Sequence, residues 1–382
     1  MRLVKGMVCY LLCMACLGGC IHPSAKANTR VTQYSTSGDV NQSQTGLAST
    51  SMAAHTLPQT PTQTGTATPS QTPKTTLPAT NTPTAWPLTN YTSFKIRPDV
   101  EPVTYIMDTC AYLKARWDET KSEPGTIVVP IMFHSITQPG KNVEGNTTIT
   151  YEYFEAFIQH AKNMGYETIT VEELIAFLTT NAKIPSKSMI MILDDRRPGV
   201  TELFMPYLLE NDWTLTLGWI SSRNSESIWS RMEKLHASGH LDVQSHGYYH
   251  IYVQPYLPNS EIQEDIVKPI DILAEHFGKK PDAYIWPGGN FSQLAVDFAR
   301  EAGYSLGFTA YSRGPLMFNW VPLGPKEREI NDPLMVLPRF WSTTAISALE
   351  EGVRVQEEAS FAAKAARNEE LLWMQLFCQF QH

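Results

Sequence analysis

The sequence predicts an α/β fold in which parallel strands close into a barrel. Short apolar runs alternate with amphipathic helical stretches from residue 126 onward, as is typical of a parallel sheet covered on both faces. Polar motifs follow the apolar runs, at the strand ends where barrel active sites gather, and this favours a barrel over an open sheet. Seven segments are expected to form strands: 126–133, 189–193, 215–220, 241–244, 283–286, 305–309 and 336–340.

Helices are expected between these strands. The stretch 151–164 has apolar residues at helical spacing. Two sequences with a capping pattern, Thr170-x-x-Glu173 and Asn290-x-x-Gln293, predict the starts of two further helices.

The first 20 residues resemble a bacterial lipoprotein signal. Arg2 and Lys5 give a positive start, and an apolar stretch too short to span a bilayer comfortably follows them. Leu17-Gly18-Gly19-Cys20 resembles the lipobox, in which the cysteine is acylated. We expect residues 1–19 to be removed and Cys20 to anchor the protein in a membrane. An ordinary signal peptide is the alternative.

Residues 20–95 are expected to form a disordered tether. Thr, Ser and Pro dominate this segment, and between Val31 and Phe94 only Asp39 and Lys74 carry charge. Such a composition cannot bury enough apolar surface to offset the cost of ordering the chain. Proline keeps it extended, so the tether would hold a folded domain away from a membrane surface.

The catalytic domain is expected at residues 96–345, and a helical tail at 346–382. The tail either packs on the barrel or binds a partner. Cys110 and Cys378 are the cysteines that remain after Cys20, so one disulfide is possible, although no feature of the sequence argues for it. A formal net charge of −8 gives no support to nucleic-acid binding.

Two adjacent aspartates and two later histidines form the main functional motif. Asp194-Asp195 ends one apolar run, and His246 and His250 follow the expected strand 241–244. One carboxylate and two imidazoles commonly hold a hydrolytic divalent metal and leave positions open for water and substrate. Adjacent carboxylates repel, so both stay ionised only beside a cation or donor. A metal on Asp195 would leave Asp194 free as general base.

The order and spacing of several segments resemble the polysaccharide deacetylases of the NodB-homology group, carbohydrate esterase family 4. The family patterns T-F-D-D-G, H-[S/T]-x-x-H and R-x-P-Y-G correspond to Ile192-Leu193-Asp194-Asp195-Arg196, His246-Gly247-Tyr248-Tyr249-His250 and Ile285-Trp286-Pro287-Gly288-Gly289. Residues 129–136 resemble the opening strand of extracellular members, and residues 331–340 resemble their closing segment. The resemblance spans about residues 126–342.

This resemblance implies a distorted (β/α) barrel of about seven parallel strands, and removal of N- or O-acetyl groups from a glycan. It makes Asp194 the general base. Asp195, His246 and His250 would hold zinc, with cobalt, nickel or manganese as alternatives. A backbone N–H near Gly288 would help to hold the developing oxyanion.

Three departures from the family pattern affect the expected site. Arg196 replaces a glycine, so the turn after the aspartates must avoid positive φ or absorb strain. Ile285 replaces the arginine that would pair with the base, and Arg339 is the candidate substitute. The family's late catalytic histidine has no match, so His134 is the candidate acid. A core histidine satisfied by the backbone is the alternative for His134.

The aromatic residue Trp286 is a candidate substrate contact, because exposed aromatics can stack on sugar rings, although at strand ends they are about as often core. The sequence therefore predicts a metal-dependent polysaccharide deacetylase that is secreted and anchored at the cell surface as a lipoprotein. Its substrate would be an acetylated polysaccharide; peptidoglycan, chitin-like polymers, an N-acetylglucosamine exopolysaccharide and acetylated xylan all fit. The alternative is a catalytically degenerate surface lipoprotein that binds glycans without turning them over.

Overall fold

The computed structural model describes residues 85–88, 96–143 and 145–378. The expected signal peptide and Cys20 lie outside the described residues, as does the expected tether apart from 85–88. Among the described helices, none is long and apolar enough to cross a membrane.

The described chain forms strands β1–β12 and helices α1–α9, with short 3₁₀ turns between some of them. The strands are β1 (Glu101–Val103), β2 (Ile127–Phe133), β3 (Ser135–Ile136), β4 (Thr148–Ile149), β5 (Glu167–Thr168), β6 (Lys187–Asp194), β7 (Leu215–Trp219), β8 (Leu241–Ser245), β9 (Ala283–Ile285), β10 (Leu306–Phe308), β11 (Val321–Leu323) and β12 (Phe340–Trp341). The helices are α1 (Thr109–Arg116), α2 (Tyr151–Met164), α3 (Val171–Thr180), α4 (Pro198–Asn211), α5 (Glu226–His236), α6 (Asn259–Val267), α7 (Pro269–Phe277), α8 (Gln293–Glu301) and α9 (Ala345–Phe377).

Seven parallel strands form the central sheet, in the order β10-β9-β8-β7-β6-β2-β12, and β5 pairs with the start of β6. The sheet curls until its two edges meet. Leu337, which precedes β12, forms a parallel bridge with Phe308 of β10. Its backbone N–H donates to the carbonyl of Gly307, and its carbonyl accepts from the N–H of Thr309, both at 2.8 Å. These contacts confirm the expected barrel of parallel strands, and its closure through one bridge makes it a distorted one.

Two of the three predicted helix starts are confirmed. Helix α2 covers the predicted 151–164, and Thr170 and Glu173 form the predicted capping box of α3. The cap predicted at Asn290 is wrong. Helix α8 begins after Ser292, whose side-chain oxygen accepts a backbone N–H of the first turn, because Asn290 still belongs to the end of a 3₁₀ turn.

The last predicted strand, 336–340, is regular only at its end. Leu337 pairs with β10 on one side, whereas Phe340 pairs with Ile131 of β2 on the other. The chain crosses between the two edges of the sheet over these residues. Pro338 has no N–H to donate, so a continuous ladder with either neighbour does not form.

Side chains of β6 alternate between two buried layers. Met191 and Leu193 belong to the layer that packs against α2, α4 and α9, whereas Ile190 and Ile192 belong to a second layer. Side chains of a strand point alternately to opposite faces. Asp194, two residues after Ile192, therefore continues into the second layer, where it is almost completely buried.

The C-terminal segment is a helix that packs on the barrel. The hydroxyl of Tyr166 donates to the carbonyl of Leu349 in α9 at 2.7 Å. Gly352 lies so close to β2 that an added Cβ would stand 2.7 Å from the Cγ2 atom of Val129. A disulfide joins Cys110 of α1 to Cys378, directly after α9, with the two Cα atoms 5.5 Å apart. The sequence left the pairing of these two cysteines open, and the structure shows that they are bonded to each other.

Candidate metal and catalytic site

The predicted functional side chains meet at the carboxyl-terminal edge of the sheet. Asp194 ends β6, and His246 follows β8 directly. Only β7 separates these two strands in the sheet. His134 follows β2, the other neighbour of β6. Because carboxyl ends of parallel strands share one edge, residues far apart in sequence come together here.

Asp195, His246 and His250 form a cluster that could hold a metal ion. The His250 Nε2 atom lies 3.6 Å from Asp195 Oδ1 and 3.1 Å from His246 Nε2, and His246 Nε2 lies 3.8 Å from Asp195 Oδ1. One ligand atom from each residue lies within 4.8 Å of the others. Ligands about 2.0–2.1 Å from a tetrahedral zinc ion stand roughly 3.3 Å apart, so these separations fit such an ion.

The protonation state of His246 also suits a metal ligand. Its Nδ1 atom lies 2.8 Å from the carbonyl of Ile285, which assigns the ring proton to Nδ1 and leaves the lone pair of Nε2 facing the cluster. Burial lowers the pKa of His246 to about 4, against the opposing effect of Asp194. The imidazole is therefore neutral near pH 7, as metal binding requires.

Asp194 is held as a carboxylate by Arg339. The two terminal nitrogens of Arg339 donate to the two oxygens of Asp194 at 2.7 and 3.0 Å, and Arg339 Nε donates to the carbonyl of Thr309 at 2.7 Å. Burial raises the pKa of Asp194, but Arg339 and then the nearby histidines lower this pKa by more. The net effect is a pKa well below the usual range for aspartate. The structure thus brings the candidate base and its candidate partner into direct contact.

His134 lies beside the same carboxylate. Its Nε2 atom is 3.7 Å from Asp194 Oδ2, and its ring stacks on Trp341 with the centroids 6.0 Å apart. Among the described residues, the buried Nδ1 atom has no hydrogen-bond partner, so His134 is not a core histidine satisfied by the backbone. Burial lowers the pKa of His134, and the charge of Asp194 partly offsets this.

Gly288 and Trp286, the two candidates on the third motif, are placed differently. Gly288 is exposed, has φ +61° and lies against Tyr252, whose Cε1 atom would be 2.7 Å from an added Cβ. Trp286 is fully buried, and its indole N–H donates to the carbonyl of Met335 at 2.7 Å. Trp286 therefore packs in the core and offers no face to a sugar. Tyr252, which is 52% exposed and packs against His250, is the aromatic side chain that is exposed beside the cluster.

The turn after the aspartates avoids strain at Arg196. The residue with positive φ is Asp195, at +70°. Arg197, two residues after Asp195, donates to Asp195 Oδ2 at 2.6 Å and to the hydroxyl of Ser135 at 2.7 Å. Arg197 occupies one oxygen of Asp195 and leaves Oδ1 facing the histidines. This contact could not be predicted from the sequence, because an arginine next to a turn is usually a solvated surface residue.

Asp265 is a second residue that the sequence analysis missed. This buried carboxylate on α6 accepts the backbone N–H groups of Tyr249 and Ile251 at 2.5 and 3.3 Å, and the hydroxyl of Tyr284 at 2.8 Å. It also fills the space beside Gly247, where φ is +84° and a Cβ would collide with the carboxylate. Asp265 thus fixes the loop between the two histidines.

The segment that contains these residues is similar to known proteins. The sequence profile of the polysaccharide deacetylase family matches residues 181–307, which include both aspartates and both histidines of the site. This part of the chain, which carries the site, is similar to the polysaccharide deacetylases.

Two further proteins are similar to this chain. YxkH of Bacillus subtilis (strain 168), whose name places it among polysaccharide deacetylases, is 23% identical over 208 residues, which are 53% of this chain and 68% of that protein. The solved structure of the Streptococcus pyogenes deacetylase PplD in complex with acetate superposes with a TM-score of 0.50 at 18% identity, and the match covers 60% of this chain and 98% of that one. The second comparison supports the fold.

Replacing Asp265 is expected to weaken metal binding without unfolding the domain. In Asp265→Asn the side chain keeps one acceptor oxygen and cannot accept from both Tyr249 and Ile251 with separate oxygens, so the histidine loop loosens. We expect the dissociation constant for zinc, measured by competition with a chelator, to rise roughly 10–100-fold. Asp271→Ala, at an exposed position on α7, is the matched control. Equal zinc affinity in Asp265→Asn and the control would contradict the positioning role.

Proposed function

We propose that the protein is a metal-dependent hydrolase that removes N- or O-acetyl groups from a polysaccharide. One observation carries the proposal: Asp195, His246 and His250 form a metal-ligand cluster, and the ionised Asp194 lies against it, with Asp194 Oδ2 3.9 Å from His246 Nε2. The match of residues 181–307 to the polysaccharide deacetylase profile supports the same reaction class. The complete set of ligands, base and base partner favours an enzyme over a catalytically degenerate glycan binder.

A divalent ion held by these three residues would supply Lewis-acid chemistry and a water of lowered pKa. Zinc fits the donor set best, with cobalt, nickel or manganese as alternatives. A carboxylate and imidazole site of this kind leaves coordination positions open, which hydrolysis requires.

The residues of the chain divide the remaining work. Asp194, kept ionised and oriented by Arg339, accepts the proton of the attacking water. The backbone N–H near Gly288 donates to the oxygen on which negative charge develops. His134, which lies 3.7 Å from Asp194, passes the proton from Asp194 on to the leaving amine or hydroxyl. Water adds to the acetyl carbon, the bond from that carbon to the sugar nitrogen or oxygen breaks, and acetate and the free amine or hydroxyl are released.

The surface beside the site suits a sugar polymer. A cleft of about 520 Å³ lies between the loops that follow β8, β9 and β10, with Gln254, Phe291 and Tyr311 among its lining residues. Tyr252 and Tyr256, both exposed on the loop after β8, offer aromatic faces for stacking. These features support an acetylated polysaccharide as the substrate.

We also propose that the protein is exported and anchored to the cell surface through a lipid on Cys20. The lipobox-like sequence before Cys20 supports the anchor. The disulfide between Cys110 and Cys378 supports export, because such bonds persist mainly in oxidising compartments. Mass spectrometry of the mature amino terminus should find an acylated Cys20, and an unmodified, uncleaved terminus would refute the anchor.

The metal site can be tested by elemental analysis of the purified protein. We expect near-stoichiometric zinc or a similar ion in the native protein, and its loss in the double variant His246→Ala/His250→Ala. His236→Ala/His240→Ala removes two histidines at the same spacing away from the cluster, and it should retain the metal. Absence of metal from the native protein after reloading would refute the proposed chemistry.

The role of Asp194 can be separated from metal binding. In Asp194→Asn we expect acetate release to fall by about 10²–10⁴-fold, while the metal content stays. Because this change leaves Arg339 buried without its partner, which is destabilising, the double variant Asp194→Asn/Arg339→Met serves as the control for folding. Undiminished acetate release from a folded, metal-containing Asp194→Asn protein would refute the assignment of the base.

A further inference from the structure

The arginines at the ends of β6 and β7 are unusual in this protein. Most described arginines form an ion pair with a carboxylate, for example Arg231 with Glu202, or Arg300 with Asp332. Within the described part of the chain, Arg196 and Arg223 have no carboxylate partner, and the same holds for Arg367 on α9. Arg196 and Arg223 both lie beside the proposed active site. We call them the arginine pair.

The arginine pair is held in place by contacts that leave its charge free. Arg196 Nη1 donates to the carbonyl of Ser222 at 2.5 Å. The guanidinium of Arg223 lies over the ring of Tyr249, 5.9 Å from its centroid. Neither contact neutralises a positive charge, and Arg223 is exposed to solvent.

The loop that carries Arg223 is fastened to the loop between the metal-ligand histidines. The N–H of Ser221 donates to the carbonyl of Gly247 at 3.1 Å, and the N–H of Ser222 donates to the carbonyl of Tyr248 at 2.9 Å. Arg196 itself follows Asp195 directly in the sequence. The arginine pair therefore belongs to the border of the site, on the side of β6, β7 and β8.

The carboxylates of the site do not compensate this charge. Asp194 is neutralised by Arg339, and Asp195 by Arg197 as well as by any bound ion. The chain as a whole carries a formal net charge of −8, so a local excess of positive charge is not a property of its entire surface. Guanidinium groups bind carboxylates and phosphates through paired N–H donors.

We propose that the polysaccharide processed at this site carries an anionic group, a carboxylate or a phosphate, on or next to the acetylated sugar, and that Arg196 and Arg223 bind this group. The inference rests on the proposed deacetylase function and names the class of its substrate. A neutral homopolymer of N-acetylglucosamine would leave both arginines without an ionic partner.

Acetate release from matched substrates tests the proposal. The probes are a neutral N-acetylglucosamine oligomer, a glycan strand of similar length with a lactyl carboxylate on alternate sugars, and an N-acetylglucosamine polymer joined by phosphodiesters. We expect kcat/KM to be about tenfold higher, or more, for one of the anionic probes, and to decline as salt screens the charges. The probe that is preferred distinguishes carboxylate from phosphate.

The variant Arg196→Gln/Arg223→Gln should bring the ratio of kcat/KM between the anionic and neutral probes close to one. Arg367→Gln, which removes an equally unpaired arginine far along the chain on α9, should leave the ratio as in the native protein. Equal kcat/KM for all probes in the native protein would overturn the proposal, and so would a preference that survives in the double variant.

A binding measurement separates this proposal from the deacetylase function on which it rests. Calorimetric titration of the native protein with the same three probes should give tighter binding of an anionic probe, and the difference should vanish in Arg196→Gln/Arg223→Gln. If that result is obtained without acetate release from any probe, the deacetylase function fails while the anion site stands. If acetate is released but all probes bind equally, the anion site fails alone.

Discussion

The buried ion pair between Asp194 and Arg339 is the interaction on which the barrel and its site both depend. Asp194 ends a strand in the middle of the sheet, whereas Arg339 belongs to the segment that crosses between the two sheet edges. Arg339 also binds the carbonyl of Thr309, next to the edge strand β10. A buried charge pair is tolerated only when its hydrogen bonds are nearly complete. Here Nε, Nη1 and Nη2 of the arginine each have an acceptor, so the same side chain joins the barrel edge at Thr309 to Asp194.

The two adjacent aspartates pair with two different arginines. Repulsion between neighbouring carboxylates suggested that both stay charged only beside a cation or donor, for example a metal on Asp195. In the structure their side chains diverge, because Asp194 continues the alternation of β6 and Asp195 turns away with a positive φ. Arg339 then neutralises the first carboxylate and Arg197 the second. Each carboxylate therefore has an arginine as its ionic partner within the protein.

The sheet and the grouping of Asp195, His246 and His250 could be predicted because they depend on local patterns. An apolar run predicts a buried strand, and polar residues that follow such runs must meet at one edge of a parallel sheet. Other features depend on contacts between distant segments, which no local pattern encodes. The indole N–H of Trp286 can be buried because the carbonyl of Met335, 49 residues later, accepts it. In the sequence, Asp265 resembles any acidic residue of an amphipathic helix. Its role is visible only in the folded structure, where it accepts hydrogen bonds from the loop between the histidines. Strand 336–340 was predicted too long, because Leu337 pairs with β10 at one edge of the sheet and only Phe340 pairs with β2 at the other.

The disulfide between Cys110 and Cys378 determines whether cleavage of the backbone would release a fragment. Cys110 and Cys378 are separated by 268 positions, and the whole parallel sheet lies between them. With the bond in place, this part of the polypeptide is a covalent ring. A protease that cuts one exposed loop opens the ring but releases no fragment, since the two pieces remain joined through the cysteines. The helix α9 likewise cannot be pulled away from the barrel by its far end, because the bond holds that end to α1. A single cut in an exposed loop would then leave the two pieces of the domain covalently joined.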